Sequence, residues 1–358
     1  MARILHFADL HLVHSGEFRD YSLSVLREIL DIARQETVDL MIAAGDLFDS
    51  RRDFEAMLSL VDSLIESTVP GVPLILLPGN HEELLRTQGP LKALPSTKNV
   101  RIARELPVGF HQFEGYEIVT LPFQTEYAGF DEWELPPKRS APRVVVAHGS
   151  VLGTTPGPDL AEDRDGVLDG EIFSRLQGDY VALGHIHQGG EFVHEGVTMV
   201  YPGSARVWRH GEVGPRKIAI LELGHSLRYS WRILKTAGQF RQFPLVIDAS
   251  AEEAIREAAE EWRPEDWVHV VYRGLIPDGD HADRISESHI RLLKSRVRRI
   301  TVDSSALLVV PDAQDSQLIR RFLEEWEALR ITYGETEEAD AWEEARLIGL
   351  ERIARALN

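Results

Sequence analysis

The sequence predicts an α/β fold, and three patterns carry that expectation. Over the first hundred residues, apolar runs of strand length alternate with helix-spaced segments. After residue 100 short strand-like runs take over, which suits a mixed sheet, or two sheets packed face to face, better than a doubly wound fold. Near residue 236, at "TAGQFRQFP", the character changes again and a smaller β-α-β-α-β succession begins.

The elements follow in order. "RILHFADLH" (3–11) reads as a buried strand that ends in polar residues, and "YSLSVLREILDIARQE" (21–36) carries helical spacing at Leu23, Leu26, Ile29, Leu30 and Ala33. "DLMIAAGD" (39–46) is a second strand, "FEAMLSLVDSLIES" (54–67) a second helix and "VPLILLPGNH" (72–81) a third strand. This βαβαβ order implies a largely parallel sheet covered by helices. "GYEIVTLP", "RVVVAHGS", "YVALGHIH", "VTMVYPGS" and "KIAILELG" supply the later strands. Three parts result: residues 1–235, a second α/β domain over 236–312, and a helical tail over 313–358. Leu318, Phe322, Trp326 and Leu329 form one apolar stripe of the tail, and Leu347, Leu350, Ala354 and Leu357 another, joined by an acidic connector "YGETEEADAW".

Composition narrows the function classes. The 358 residues carry 43% hydrophobic and 27% charged residues, as in an ordinary soluble protein long enough for two domains. No apolar run reaches the roughly 18–20 residues of a membrane span. "MARILHFADLHL" makes a poor signal peptide because Asp9 breaks its short apolar stretch, so the expected location is the cytoplasm. Without cysteine, disulfides and thiolate metal sites are excluded. A formal charge of −19 argues against a broad basic footprint, so nucleic-acid binding would need metal ions and a local basic strip.

Candidate ligands close each strand of the first part. They are Asp9 and His11, then Asp46 after Gly45, then Asn80 and His81 after Gly79, then His148, and finally His185 and His187. Sites in open α/β sheets lie outside the carboxyl ends of strands. Two carboxylates, an amide oxygen and four imidazoles suffice for two metals if one carboxylate bridges. Donors of oxygen and nitrogen without sulfur favour manganese, iron or zinc. Alternate residues such as His185 and His187 can point to one side of extended backbone, giving one imidazole to each metal. Each piece alone has a plainer reading: an Asp-x-His or a Gly-His is commonly surface chemistry. His6 reads as a core histidine, and His14, His194, His210 and His225 as solvated or structural.

The order Asp-x-His, Gly-Asp, Gly-Asn-His, His-Gly, Gly-His-x-His resembles the calcineurin-like metallophosphoesterase superfamily. "AAGDLFDSRRDF", "LPGNHEELL" and "YPGSARVWRHGE" are similar to SbcD-type DNA-repair exonucleases, the nuclease subunits of a complex with an SMC-like ABC ATPase. The resemblance covers the chain to about residue 235, and 243–310 resembles the family's capping domain more loosely. It implies a four-layer α/β/β/α sandwich with a small α/β capping domain and C-terminal helices. It also places Asp9, His11, Asp46 and His187 on one metal, with Asp46 bridging to a second held by Asn80, His148 and His185. His81 matches the family histidine that contacts the scissile phosphate and assists the leaving oxygen. The implied reaction is manganese-dependent phosphodiester cleavage of DNA, 3′→5′ exonuclease and often endonuclease. The family commonly has glycine where Val13 and His14 stand here, and often aspartate where Glu82 stands; neither change replaces a ligand.

Arg51, Arg52, Arg206 and Arg209, with His210, are candidates for a basic strip on DNA, or equally for ordinary surface charge. "RLLKSRVRR" (291–299) fits one solvated helix face, and Trp133 and Trp208 fit packing or base stacking. The resemblance further implies a homodimer and an ATPase of the SbcC type bound by the C-terminal helices, whose stripes could equally pack on their own domain. Three other functions suit the same residues. One is a phosphodiesterase of small or cyclic substrates, which the acidic charge favours. The others are a phosphoprotein phosphatase and a non-catalytic DNA-end scaffold regulated by an ATPase.

Overall fold

The structure, a computed structural model of the 358-residue chain, describes residues 2–82, 96–124, 127, 129–133, 135, 137–139, 142–152, 166–209, 211–224, 226–247, 251–276, 279–309, 317–333 and 339–357. The chain divides into two compact units, Met1–Gln239 and Phe240–Asn358.

The first unit opens with β1 (Ala2–Phe7), α1 (Arg19–Gln35), β2 (Leu40–Ala44), α2 (Arg51–Thr68), β3 (Leu74–Leu77) and β4 (Val100–Ile102). β5 (Gly109–Phe113), β6 (Tyr116–Leu121), β7 (Arg143–His148), β8 (Ser150–Val151), β9 (Val167–Leu168) and α3 (Gly170–Arg175) follow. β10 (Tyr180–Gly184), β11 (Gly190–His194), β12 (Val197–Tyr201), β13 (Gly214–Pro215), β14 (Lys217–Leu223) and β15 (Leu227–Ile233) complete it.

Two six-stranded sheets form, in the orders β15-β14-β1-β2-β3-β4 and β11-β12-β10-β7-β6-β5. Each holds four parallel strands: β1 through β4 in one, with β4 at its edge, and the central β6, β7, β10 and β12 in the other. The antiparallel β14 and β15 extend the first sheet beyond β1, and β5 and β11 form the two edges of the second. Parallel pairing needs crossovers, and α1 and α2 supply those from β1 to β2 and from β2 to β3. Their buried stripes are Leu23, Leu26, Ile29, Leu30 and Ala33, and Phe54, Met57, Leu58, Val61 and Ile65. Ser50 caps α2 by accepting the Asp53 N–H, which fixes where the helix begins after β2.

Strand alternation explains the layering. Ile4, Ala8, Leu40, Ile42, Ala44, Ile75 and Leu77 from one sheet share a core with Ile118, Val144, Val146, Ala182 and Val200 from the other. The intervening Leu5, Phe7, Met41, Ala43, Leu74 and Leu76 are buried too, so both faces of the first sheet are covered. On the second sheet Val119, Val145, Val181 and Met199 pack with Ile172 and Phe173 of α3. The result is an α/β sandwich. His6 ties its inner faces together: Nδ1 accepts from Tyr180 Oη at 3.1 Å and Nε2 donates to the Leu183 carbonyl at 3.2 Å. Burial lowers its pKa to about 3, consistent with a neutral ring in that pair of bonds.

The second unit holds β16 (Gln239–Val246), α4 (Ala251–Ala258), β17 (Trp267–Ile276), α5 (Gly279–Leu293), β18 (Arg299–Asp303), β19 (Leu307–Val309), α6 (Gln317–Tyr333) and α7 (Ala339–Leu357). β17 pairs in parallel with β16, β18 and β19. The tail stripes differ in part from the sequence expectation. Among the described side chains of α6 the buried one is Ile319, packed with Phe322, Leu350 and Ala354, whereas Leu318 and Leu329 are 52% and 44% exposed. Apolar residues lie on several sides of α6, so its spacing alone does not choose a face; its packing partners do. The connector between the tail helices falls largely outside the described residues, at 334–338.

Candidate metal centre

The carboxyl ends of β1, β2, β3, β7 and β10 converge, so both sheets contribute. The loops leaving β1 and β2 run side by side, with the Asp9 N–H donating to the Gly45 carbonyl at 3.1 Å and the His11 N–H to the Asp46 carbonyl at 3.0 Å. Asp9, His11, Asp46 and His185 hold left-handed backbone, with φ of 52°, 50°, 49° and 101°. That region is uncommon outside glycine, and Asp and His are among the residues that tolerate it. Glycines provide the remaining room. A Cβ on Gly45 would stand 1.9 Å from His148 Nδ1, and one on Gly184 would stand 1.9 Å from the Ala44 carbonyl and 2.9 Å from the same Nδ1. Gly79 in the same way leaves space for Asp46, whose Oδ1 would be 2.2 Å from an added Cβ.

Three overlapping clusters of ligand atoms arise: Asp9, His11 and His187; His11, Asp46 and His81; and Asp9, Asp46 and His148. Asn80 joins them, its Oδ1 lying 3.0 Å from His148 Nε2 and 3.3 Å from His185 Nδ1. The Asp9 carboxylate also accepts the His185 N–H, at 3.1 and 3.0 Å to its two oxygens. Main-chain carbonyls only accept, so two tautomers are fixed. His148 Nδ1 donates to Ala44 at 2.9 Å, which turns its Nε2 toward Asn80 and toward Asp46 Oδ2 at 3.3 Å. His81 Nδ1 donates to the Asp49 carbonyl at 3.0 Å, which leaves its Nε2 outside that bond.

The electrostatics follow from burial and close charges. Burial raises Asp9 to about 6, against the charges of His148 and His187. Burial also opposes ionisation of Asp46, but His148, His11 and His81 together outweigh it and hold that carboxyl far below the usual range. His148 goes the other way: burial disfavours its charge, yet Asp46 and Asp9 lift it to about 9. His185 is lowered to about 3 by burial and by His148. His11 Nε2 and His187 Nε2 face each other at 3.3 Å. His11 is lowered by burial, while a bond to Glu212 and the charge of Asp9 raise His187 against its own burial.

This arrangement fits metal ions. Acceptor atoms from five strand ends converge, facing imidazoles and carboxylates stand 3.3 Å apart at His11–His187 and His148–Asp46, and His11 Nδ1 is buried without a hydrogen-bond partner. A hard or borderline divalent cation suits these oxygen and nitrogen donors. The calcineurin-like phosphoesterase profile matches residues 2–189, more than half of the chain. The chain belongs to the calcineurin-like phosphoesterase family. Among its relatives is the DNA double-strand break repair protein Mre11 of Methanopyrus kandleri, 25% identical over 300 residues that span 76% of this chain and 63% of that protein. Mre11 of Methanosarcina mazei is 30% identical over 248 residues, 65% of this chain and 38% of that protein. The D component of the nuclease SbcCD of Staphylococcus saprophyticus is 24% identical over 303 residues, 75% of this chain and 77% of that protein. The chain thus spans less than two thirds of the length of these Mre11 relatives.

Within this phosphoesterase, Asp9, His11, Asp46, Asn80, His148, His185 and His187 come together, and His81 joins them with its backbone N–H 3.0 Å from Asp46 Oδ1. The arginines divide. Arg52 and Arg209 are exposed, and Arg51 is half-exposed and bonds Glu55 at 3.0 Å. Arg206 does not belong to a surface strip. It is 1% exposed, and its guanidinium donates to the carbonyls of Leu10 at 2.8 Å and His11 at 2.8 Å. Burial lowers its pKa to about 10, which leaves it charged. It acts as a brace for the loop after β1. His210 lies outside the described residues. Trp208 stacks on His11, with ring centroids 4.5 Å apart and planes 4° from parallel. Trp133 packs against the outer core of the second sheet.

Three carboxylates shape the centre without having been read as site residues. Asp49 Oδ1 lies 3.4 Å from His11 Nδ1 and 3.8 Å from His81 Nδ1. Glu82, fully buried, accepts the N–H groups of Phe48 at 3.1 Å and Gly79 at 2.6 Å, which ties the β2 and β3 loops together. Burial and the Asp46 charge raise its pKa to about 8. Glu212 bonds His187. The available signal was acidity inside the motif segments themselves, in "GDLFD", "GNHE" and "RHGE".

Proposed function

We propose that the chain is a dinuclear metal-dependent DNA phosphodiesterase, a 3′→5′ exonuclease with single-strand endonuclease action, serving DNA repair in the cytoplasm. The observation that carries this is the convergence of carboxylate, amide and imidazole donors from five strand ends of two sheets. On this reading Asp9, His11, Asp46 and His187 hold one metal, and Asp46, Asn80, His148 and His185 the other. Manganese is the favoured ion, with iron or zinc compatible with the donors. When bound, such ions activate water and offset charge on a phosphodiester in an in-line displacement. His81, with Nδ1 committed to the Asp49 carbonyl, has Nε2 available to meet the phosphate and hold a proton for the leaving oxygen. Exposed Arg52 and Arg209 serve the DNA backbone. The names of the relatives, double-strand break repair proteins and a nuclease subunit, support the substrate and the repair role. They also support a partner subunit, here proposed as an SMC-like ATPase joined to a homodimer of this chain.

A second reading is a phosphodiesterase of small or cyclic substrates. The net charge of −19 favours it, as does Arg206, whose charge is spent on the protein's own carbonyls. The deciding experiment compares wild type with Asp46→Asn on end-labelled single- and double-stranded DNA, with manganese or chelator, beside a chromogenic phosphodiester. Shortening of DNA that needs both manganese and Asp46 establishes the nuclease. Cleavage of the small diester with DNA untouched, also in the presence of the ATPase, would establish the second reading instead.

A further inference from the structure

Glu212 sits in the segment between β12 and β13, outside the strand ends that carry the donors. Its carboxylate is buried, and every contact made by its two oxygens has a direction. Oε1 lies 2.7 Å from His187 Nδ1. Oε2 takes the Ser204 hydroxyl at 3.0 Å, the Trp208 N–H at 3.3 Å and Arg216 Nη1 at 3.3 Å. Arg216 Nη2 also donates to the Glu212 carbonyl. An ionised carboxylate only accepts, so the His187 proton must sit on Nδ1. Nε2 is then the atom turned toward His11 Nε2, 3.3 Å away, and toward Asp9 in the same cluster.

A buried imidazole can present either nitrogen, and which one is available to a metal depends on what the other one bonds. For His148 that second partner is a neutral main-chain carbonyl, Ala44. His187 has a carboxylate instead, which makes the bond charge-assisted and the ring more basic toward a cation. The same segment also presses on His11, because Trp208 stacks on that ring while its own N–H is fixed to Glu212. One segment therefore governs both imidazoles of the Asp9–His11–His187 cluster.

We propose that Glu212 is a positioning residue that sets the tautomer and orientation of His187, and through it the affinity of the Asp9–His11–His187 cluster for a divalent cation. This rests on the dinuclear reading above. The test titrates Mn²⁺ into wild type, Glu212→Gln and Ser204→Ala, followed by calorimetry and electron paramagnetic resonance. Wild type is expected to take two ions and give a spin-coupled spectrum. Glu212→Gln is expected to bind one of the two about 10–100-fold more weakly and, at two equivalents, to show an isolated-ion spectrum. Ser204→Ala, which removes a hydroxyl bonded to Glu212 but leaves the Ser204 N–H on the His187 carbonyl and does not touch the imidazole, is expected to keep both affinities within about twofold of wild type. Unchanged binding in Glu212→Gln would overturn the proposal. So would an equal loss in Ser204→Ala, since segment integrity alone would then explain the effect. Long-range ¹H–¹⁵N spectra of wild type loaded with diamagnetic Zn²⁺ decide the matter even if a variant does not fold. A His187 proton on Nδ1 supports the proposal, and one on Nε2 refutes it. A wild type that binds a single ion would defeat the dinuclear reading, while the tautomer would still decide the role of Glu212.

Discussion

Replacing Gly45 by alanine tests how the centre is seated. The new Cβ would lie 1.9 Å from His148 Nδ1 and 2.4 Å from its Cγ. Ordinary contact begins near 3.4 Å, so roughly 1.5 Å of separation is missing. The ring cannot retreat freely, because its Nδ1 is bonded to the Ala44 carbonyl at 2.9 Å and its side chain is wholly buried. Gly45 also sits at φ +92°, where an alanine costs about 1–2 kcal/mol. Overpacking adds about 1–3 kcal/mol and a broken hydrogen bond about 1 kcal/mol, for about 3–6 kcal/mol in all. Gly71→Ala is the matched control: its φ is +84° with nothing within 4 Å of the added Cβ, so it should cost only about 1 kcal/mol after the gain from a stiffer unfolded chain. Urea unfolding of the metal-free proteins measures both costs, and calorimetric Mn²⁺ titration reads the centre. A His148 displaced by about 1 Å should also lower turnover about 100-fold. Equal destabilisation by the two substitutions, or wild-type Mn²⁺ binding in Gly45→Ala, would refute the steric account.

Further outcomes follow from the same geometry. Asp46→Asn should weaken binding of both ions, whereas His81→Ala should leave Mn²⁺ titrations near wild type and reduce kcat about 10²–10⁴-fold; full activity in His81→Ala would remove its catalytic role. His148, lifted from 6.5 to about 9 in the metal-free protein, must lose a proton to bind metal. Mn²⁺ affinity should therefore climb between pH 6.5 and 9 with proton release at neutral pH, and a flat profile would contradict it. Because that pKa is raised on folding, its contribution to stability is complete below about pH 6.5. It is lost as pH rises toward 9, so the unfolding midpoint of the metal-free chain should fall over that window. Arg209→Ala should lower the salt slope of DNA binding by about one. Arg206→Met should leave that slope unchanged and destabilise the fold, by about 2–4 kcal/mol for the buried carbonyls it abandons.

Much of the first unit was legible because strand periodicity and site chemistry coincide in its sequence. Each apolar run that ends in Gly-Asp, Gly-Asn-His or Gly-His-x-His marks both where a parallel strand stops and where donors gather. What sequence patterning could not supply were partners made by backbone. Arg206 reads as surface charge until the Leu10 and His11 carbonyls are seen around it. Glu82 is buried because it accepts two loop N–H groups, and no side-chain pattern encodes those. Glu212 depends on His187, 25 residues away in sequence and brought near by the hairpin of β11 and β12. On α6, Leu318 and Ile319 are equally apolar neighbours, and only packing against Leu350 and Ala354 decides which one is covered.

The left-handed turns at Asp9, His11, Asp46 and His185 have a consequence for how such a centre can arise or be lost. The two residue types whose donor atoms gather at these bends are also the ones that bear this backbone at modest cost. A scaffold that already places aspartate or histidine at such bends for conformational reasons needs no new backbone to acquire an ion. The converse also holds. Asparagine at Asp9 or Asp46 would erase a charge yet keep the bend, whereas alanine would disturb both. A lineage released from catalysis should therefore drift toward asparagine or glycine at these four positions, becoming easier to fold as its chemistry disappears.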